Sequence, residues 1–84
     1  MNKKQRETLE AVFSVPVPKN LLWYDIESLL KAIGCKVKNR GGSRVGFGID
    51  NDMLYAHRPH PQKEAKVFAV NNVRAFLERH GVTP

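Results

Sequence analysis

One cysteine in 84 residues leaves no intramolecular disulfide to form. Cys35 is read as a small apolar residue of a cytosolic protein, buried rather than reactive. No apolar run approaches the roughly 20 residues that cross a membrane as a helix. The N-terminus is basic and polar, with no signal-type apolar core behind it. These absences point to a cytoplasmic chain with no membrane association. There is also no internal repeat and no low-complexity tract. The histidines are scattered without carboxylate company, so neither a metal nor a cofactor is expected. Acids are scarce: eight Asp and Glu stand against fourteen Lys and Arg, for a net charge of +6 with the histidines neutral. That excess suits a polyanionic partner, either nucleic acid or an acidic protein. Where the charge sits decides whether it serves a partner or only solubility.

What is present supports one small domain. Hydrophobic types make up 42% of the chain, enough for a core near the lower size that folds without staples. Asn2 to Ser14 reads as a helix, with Asn2 as its cap and Leu9, Val12 and Phe13 at i, i+3, i+4. Val15-Pro16-Val17-Pro18 stops it and forms a stiff connector. Residues 1–18 are thus expected as an appendage and 19–84 as the domain. Leu22 to Ile33 is a stronger helix, its stripe made by Leu22, Ile26, Leu29, Leu30 and Ile33, with Gly34 as its stop. Trp23 and Tyr24 are expected to pack at its start. The last helix is expected from Val70 to His80, with Val67-Phe68 tucking the preceding loop onto the body.

Between the helices the period changes from 3.6 to 2. Cys35-Lys36-Val37-Lys38-Asn39-Arg40 alternates apolar with basic, as does a strand with one wet face. Val45, Phe47 and Ile49 alternate with Arg44, Gly46 and Gly48, and Leu54 to Arg58 resumes the extended pattern after Asp50-Asn51-Asp52. A two-residue loop at Asn51-Asp52 sets Ile49 opposite Leu54, Phe47 opposite Ala56 and Val45 opposite Arg58. The other face then gathers Lys36, Lys38, Arg40, Arg44, Tyr55 and His57, five of which can be positive. The expected architecture is α+β: a three-stranded antiparallel meander with the helices covering one face. An α-β-β-β-α core with an added N-terminal helix is the layout of double-stranded-RNA-binding-like folds. The two glycines let a ligand approach the cationic face closely.

Gly42-Ser43-Arg44-Val45-Gly46-Phe47 and Pro59-His60-Pro61, in this order between a helix and a final helix closing on Gly81-Val82, resemble the layout of HicA toxins from about Leu22 to Val82. The resemblance implies a small ribonuclease of a bacterial toxin–antitoxin pair, acting on mRNA and inhibited by a HicB-like antitoxin. The free chain is then expected to be monomeric and to form a hetero-oligomer with the antitoxin. The family's catalytic histidine is the first His of a Gly-Ser-His-His motif, and that position is Arg44 here. Arginine stays protonated and is a poor base, although its fork suits phosphate. His57, on the neighbouring strand and the same face, is the candidate general base, and His60 is a candidate acid for the leaving oxygen. Lys36, Lys38, Arg40, Ser43, Tyr55 and Arg58 make up the expected RNA-contacting set, Tyr55 by stacking on a base.

Blander readings stand beside these. His57 can be an exposed strand histidine that binds phosphate without chemistry, and His60 a rigid turn between prolines. The whole chain can be a non-catalytic RNA-binding module, or a module whose basic face meets only an acidic protein.

Overall fold

Asn2 opens the first helix, α1 (Lys3–Val12), through a reciprocal capping box: Gln5 N–H donates to Asn2 Oδ1 and Asn2 N–H to Gln5 Oε1, each at 2.8 Å. The computed structural model covers residues 1–84. The second helix, α2 (Trp23–Ala32), carries Asp25 in its first turn and Lys31 in its last, where the helix dipole favours each charge. Gly34, at φ +105°, turns the chain out of it. Three strands follow, β1 (Lys36–Asn39), β2 (Arg44–Ile49) and β3 (Asp52–His57), in the antiparallel order β1-β2-β3. The third helix, α3 (Val67–Arg79), completes the expected α+β layout, with a double-stranded-RNA-binding-like core behind an N-terminal helix.

Alternation decides which side of the sheet is dry. Val45 and Phe47 on β2 and Leu54 on β3 are buried beneath the helices. Trp23 meets Phe47 edge-on with centroids 6.2 Å apart, so the start of α2 is anchored to the centre of the sheet. Trp23 is therefore a packing residue, as expected. Tyr24, expected to pack beside it, is 80% exposed because the next helical position points away from the sheet.

Two expectations fail for physical reasons. Helix α1 is no appendage: Leu9 and Val12 belong to the same sixteen-residue core as Phe47 and Phe76. It packs on both α2 and α3, and the Gln5 amide bonds the Ser28 hydroxyl on α2 at 3.0 Å. The last helix starts at Val67, not Val70, and Val67 and Phe68 stay 41% and 64% exposed. The loop before it is held instead by Ala65, which is buried and donates its N–H to Leu21 O at 2.7 Å. Lys66 is then extended, and the helix begins at the next residue.

Candidate nucleic-acid interface

The hairpin turn is Asp50-Asn51, both with positive φ (49° and 63°), the requirement of a type I′ loop that Asp and Asn tolerate. The pairs are therefore Ile49↔Asp52, Phe47↔Leu54 and Val45↔Ala56, two residues from the expected register. A two-residue shift leaves every side chain on its expected face. It also moves Arg44 from a diagonal position to one directly opposite His57.

The solvent face is built in three rows across the strands. Lys36, Gly48 and Met53 form one, and Lys38, Gly46 and Tyr55 the next. Arg40, Arg44 and His57 form the third, tied by Arg40 N–H to Arg44 O at 3.0 Å. Lys36, Lys38, Arg40, Arg44, Tyr55 and His57 are all exposed. The Arg40 guanidinium lies 4.8 Å from the Tyr55 ring centroid, a cation–π contact that holds both on the surface. Arg44 donates from Nη2 to Arg40 O at 2.9 Å, which fixes its fork while leaving its other N–H groups open.

The glycines act differently from the expectation. A Cβ on Gly46 would lie 2.9 Å from Met53 Cε, and one on Gly48 2.7 Å from Met53 Sδ. Met53 thus fills the furrow over both glycines, where a ligand backbone was expected to approach. Sequence reasoning omitted Met53, yet it has the same strand parity as Tyr55 and His57.

At the open end of the third row, His57 Nδ1 lies 3.1 Å from Ser43 Oγ. This contact engages Nδ1 and leaves Nε2 of this exposed residue without a hydrogen bond in the chain. Arg58 is engaged elsewhere. Its Nε and Nη2 fork the Glu27 carboxylate at 2.7 and 3.2 Å, and its Nη1 donates to Asn39 Oδ1 at 2.7 Å. The Glu27 hydrogen bonds push the Arg58 guanidinium above its ordinary pKa. Trp23 Nε1 donates to the same carboxylate, so Glu27 accepts three hydrogen bonds.

Beside His57 the surface opens into a cleft of about 310 Å³ between β3, the 58–62 loop and the start of α3. His57, His60, Lys66, Phe68 and Asn72 are among the residues that line it. His60 makes no hydrogen bond within the chain. No three of His, Cys, Asp and Glu cluster as a metal-binding group, and no helix is long and apolar enough to cross a membrane.

Comparison with protein families matches residues 23–82, more than two thirds of the chain, to the family described as the HicA toxin of bacterial toxin–antitoxin systems. Comparison with curated proteins and with solved structures gave no match. The matched span runs from the first residue of α2 past the end of α3 and so takes in the whole cationic sheet face. By that match the chain belongs to the HicA toxin family, as the toxin of a toxin–antitoxin pair.

Proposed function

We propose that this toxin is a metal-independent endoribonuclease that cuts mRNA in the cytoplasm and is masked by a HicB-type antitoxin. The observation that carries the reading is the pairing of Arg44 directly across from His57, with Ser43 Oγ 3.1 Å from His57 Nδ1. Lys36, Lys38 and Arg40 continue the cationic face and supply phosphate contacts along the strand, with Tyr55 as a stacking surface for a base.

The chemistry follows from the side chains. With Nδ1 held by Ser43, neutral His57 takes the proton of an RNA 2′-hydroxyl on Nε2. The 2′-oxygen then attacks the adjacent phosphorus, the P–O5′ bond breaks, and His60 protonates the departing 5′-oxygen. The products are a 2′,3′-cyclic phosphate and a 5′-hydroxyl. Arg44 stabilises the charge that develops on the phosphoryl oxygens. Arg58 is left out of the contact set, because Glu27 and Asn39 already engage its N–H groups.

The test is cleavage of varied RNAs in the presence of a chelator. His57→Ala is expected to lose at least about 100-fold in rate, and Arg44→Ala to weaken both binding and turnover. Wild-type protein that binds these RNAs but leaves them intact would remove the enzyme reading. It would favour the second one, a non-catalytic RNA-binding module. Arg44 at the position of the family's catalytic histidine motivates that alternative.

A further inference from the structure

The cleft beside His57 has features that phosphate binding does not use. Its floor is apolar, formed by Leu54, Ala56, Ala65 and Val73. Gln62 and Asn72 line the cleft too, both exposed and neither side-chain amide hydrogen-bonded within the chain. Phe68 also lines it and is 64% exposed, so its ring is open to a ligand. Lys66, the residue before the uncapped first turn of α3, lines it as well.

We propose that this cleft seats one unstacked RNA base next to the phosphate engaged by His57, with Phe68 stacking on it and Asn72 and Gln62 reading its edge. The inference rests on the ribonucleic-acid reading above and adds a determinant of base preference to it. An apolar slot with a few free polar groups, at the small end of ligand-sized pockets of roughly 300 Å³ and upward, fits a flat heterocycle. Side-chain amides offer both donors and acceptors, the combination that tells one base edge from another. Aromatic stacking on splayed bases is how single-stranded RNA is usually held. Lys66 then meets the flanking phosphate.

The same groove suits an added peptide strand poorly. Arg58 N–H bonds to Ser43 O at 2.8 Å, so by alternation Met53, Tyr55 and His57 turn their backbone groups to the free edge. Met53 N–H is already taken by Asp52 Oδ1 at 2.9 Å, and Pro59 has no N–H. Only Tyr55 and His57 can offer a complete donor–acceptor pair, too short an edge for strand addition.

The experiment uses uncleavable 2′-O-methyl oligouridines carrying A, C, G or U at the central position, titrated into the full chain and followed by NMR. The side-chain amides of Asn72 and Gln62 should shift, and one central base should bind at least about fivefold tighter than the weakest. Asn72→Ala should reduce that spread to under about twofold, and Phe68→Ala should weaken every oligonucleotide by about tenfold. Both residues are exposed, and circular dichroism checks that the variants fold. Binding with shifts confined to Lys36, Lys38 and Arg44 would overturn the proposal. So would the absence of RNA binding, or cleft shifts that appear only with a protein partner. Cleavage of ordinary RNA by wild-type protein is scored separately. Cleft shifts without cleavage refute the enzyme alone, and cleavage without cleft shifts refutes the base site alone.

Discussion

Arg58 at the end of β3 grips Glu27 on α2 through two nitrogens, Nε to Oε2 at 2.7 Å and Nη2 to Oε1 at 3.2 Å. Glu27 is largely shielded, with 12% of its side chain accessible, whereas Arg58 retains 36%. Removing the arginine leaves a shielded carboxylate short of partners, which costs more than the pair itself is worth. Arg58→Ala should therefore cost about 1–2 kcal/mol, a fall in Tm of roughly 5–15 °C for a domain of this size. Arg44→Ala, on the open face, should stay within about 0.5 kcal/mol. Thermal unfolding of the two variants gives the comparison. Equal losses would mean that the fork contributes nothing beyond an ordinary surface charge.

Which residues face solvent was legible in the sequence, and which residues pair was not. Strand parity survives any two-residue shift, so the cationic face is fixed even with the wrong loop. Asp50-Asn51 and Asn51-Asp52 are both acceptable αL pairs, and no local rule separates them. The start of α3 was hidden because Lys66 is not a capping residue and the anchoring contact, Ala65 to Leu21, spans 44 positions. Arg58 is the opposite case. Parity sets it beside Val45 on the helix side; its charge alone argued for the ligand face, and an acid on α2 holds it inward. The cleft was invisible because its walls come from three separate segments, and Phe68 read as core.

The two kinds of glycine in this fold should respond differently to an added methyl. Gly34 sits at φ +105°, so Ala there is strained even though its Cβ would be 3.8 Å from Ile49 Cδ1. Gly34→Ala should cost about 1–2 kcal/mol. Gly46 has an ordinary strand backbone, and the only close contact of its new Cβ is the methyl end of Met53. That end can swing into solvent, and alanine narrows the unfolded ensemble, so Gly46→Ala should lie within about 1 kcal/mol of wild type. Urea denaturation ranks the two, and the reverse order would mean that Met53 is locked over the furrow.

At the far end of the hairpin, Asp52 Oδ2 accepts from His80 Nε2 at 2.8 Å and from Arg79 Nε at 3.1 Å. The His80 hydrogen bond first, and then that from Arg79, hold the Asp52 carboxyl below the usual carboxylate range. The unfolded chain therefore takes up this proton at a higher pH than the folded one. The stability from the contact is complete above the ordinary carboxylate pKa of about 3.9 and is lost as pH falls through the lower folded value. Asp52→Asn should be less stable than wild type near neutrality, and the gap should close as the pH drops from about 5 to about 2. Denaturation midpoints across that range measure it. A gap that stays constant would show that the carboxylate has no bearing on acid stability.

Helix α1 lies outside the matched family span, yet it packs into the common core of this chain. Val12 is fully buried and Leu9 is 6% exposed, both in the common core. Arg74 on α3 donates from Nε to Val12 O and from Nη2 to Ser14 O, each at 2.9 Å, so α3 caps the carbonyl end of α1. Leu9→Ala should cost about 2–4 kcal/mol, and Arg74→Ala about 1–2 kcal/mol. A domain this small holds only a few kcal/mol in reserve. Deleting residues 1–14 uncovers the apolar faces of α2 and α3 together, and the shortened chain should lose its cooperative thermal transition and its dispersed amide spectrum. A truncated protein that still melts sharply within a few degrees of the full chain would return α1 to the role of an appendage, free to serve the antitoxin instead.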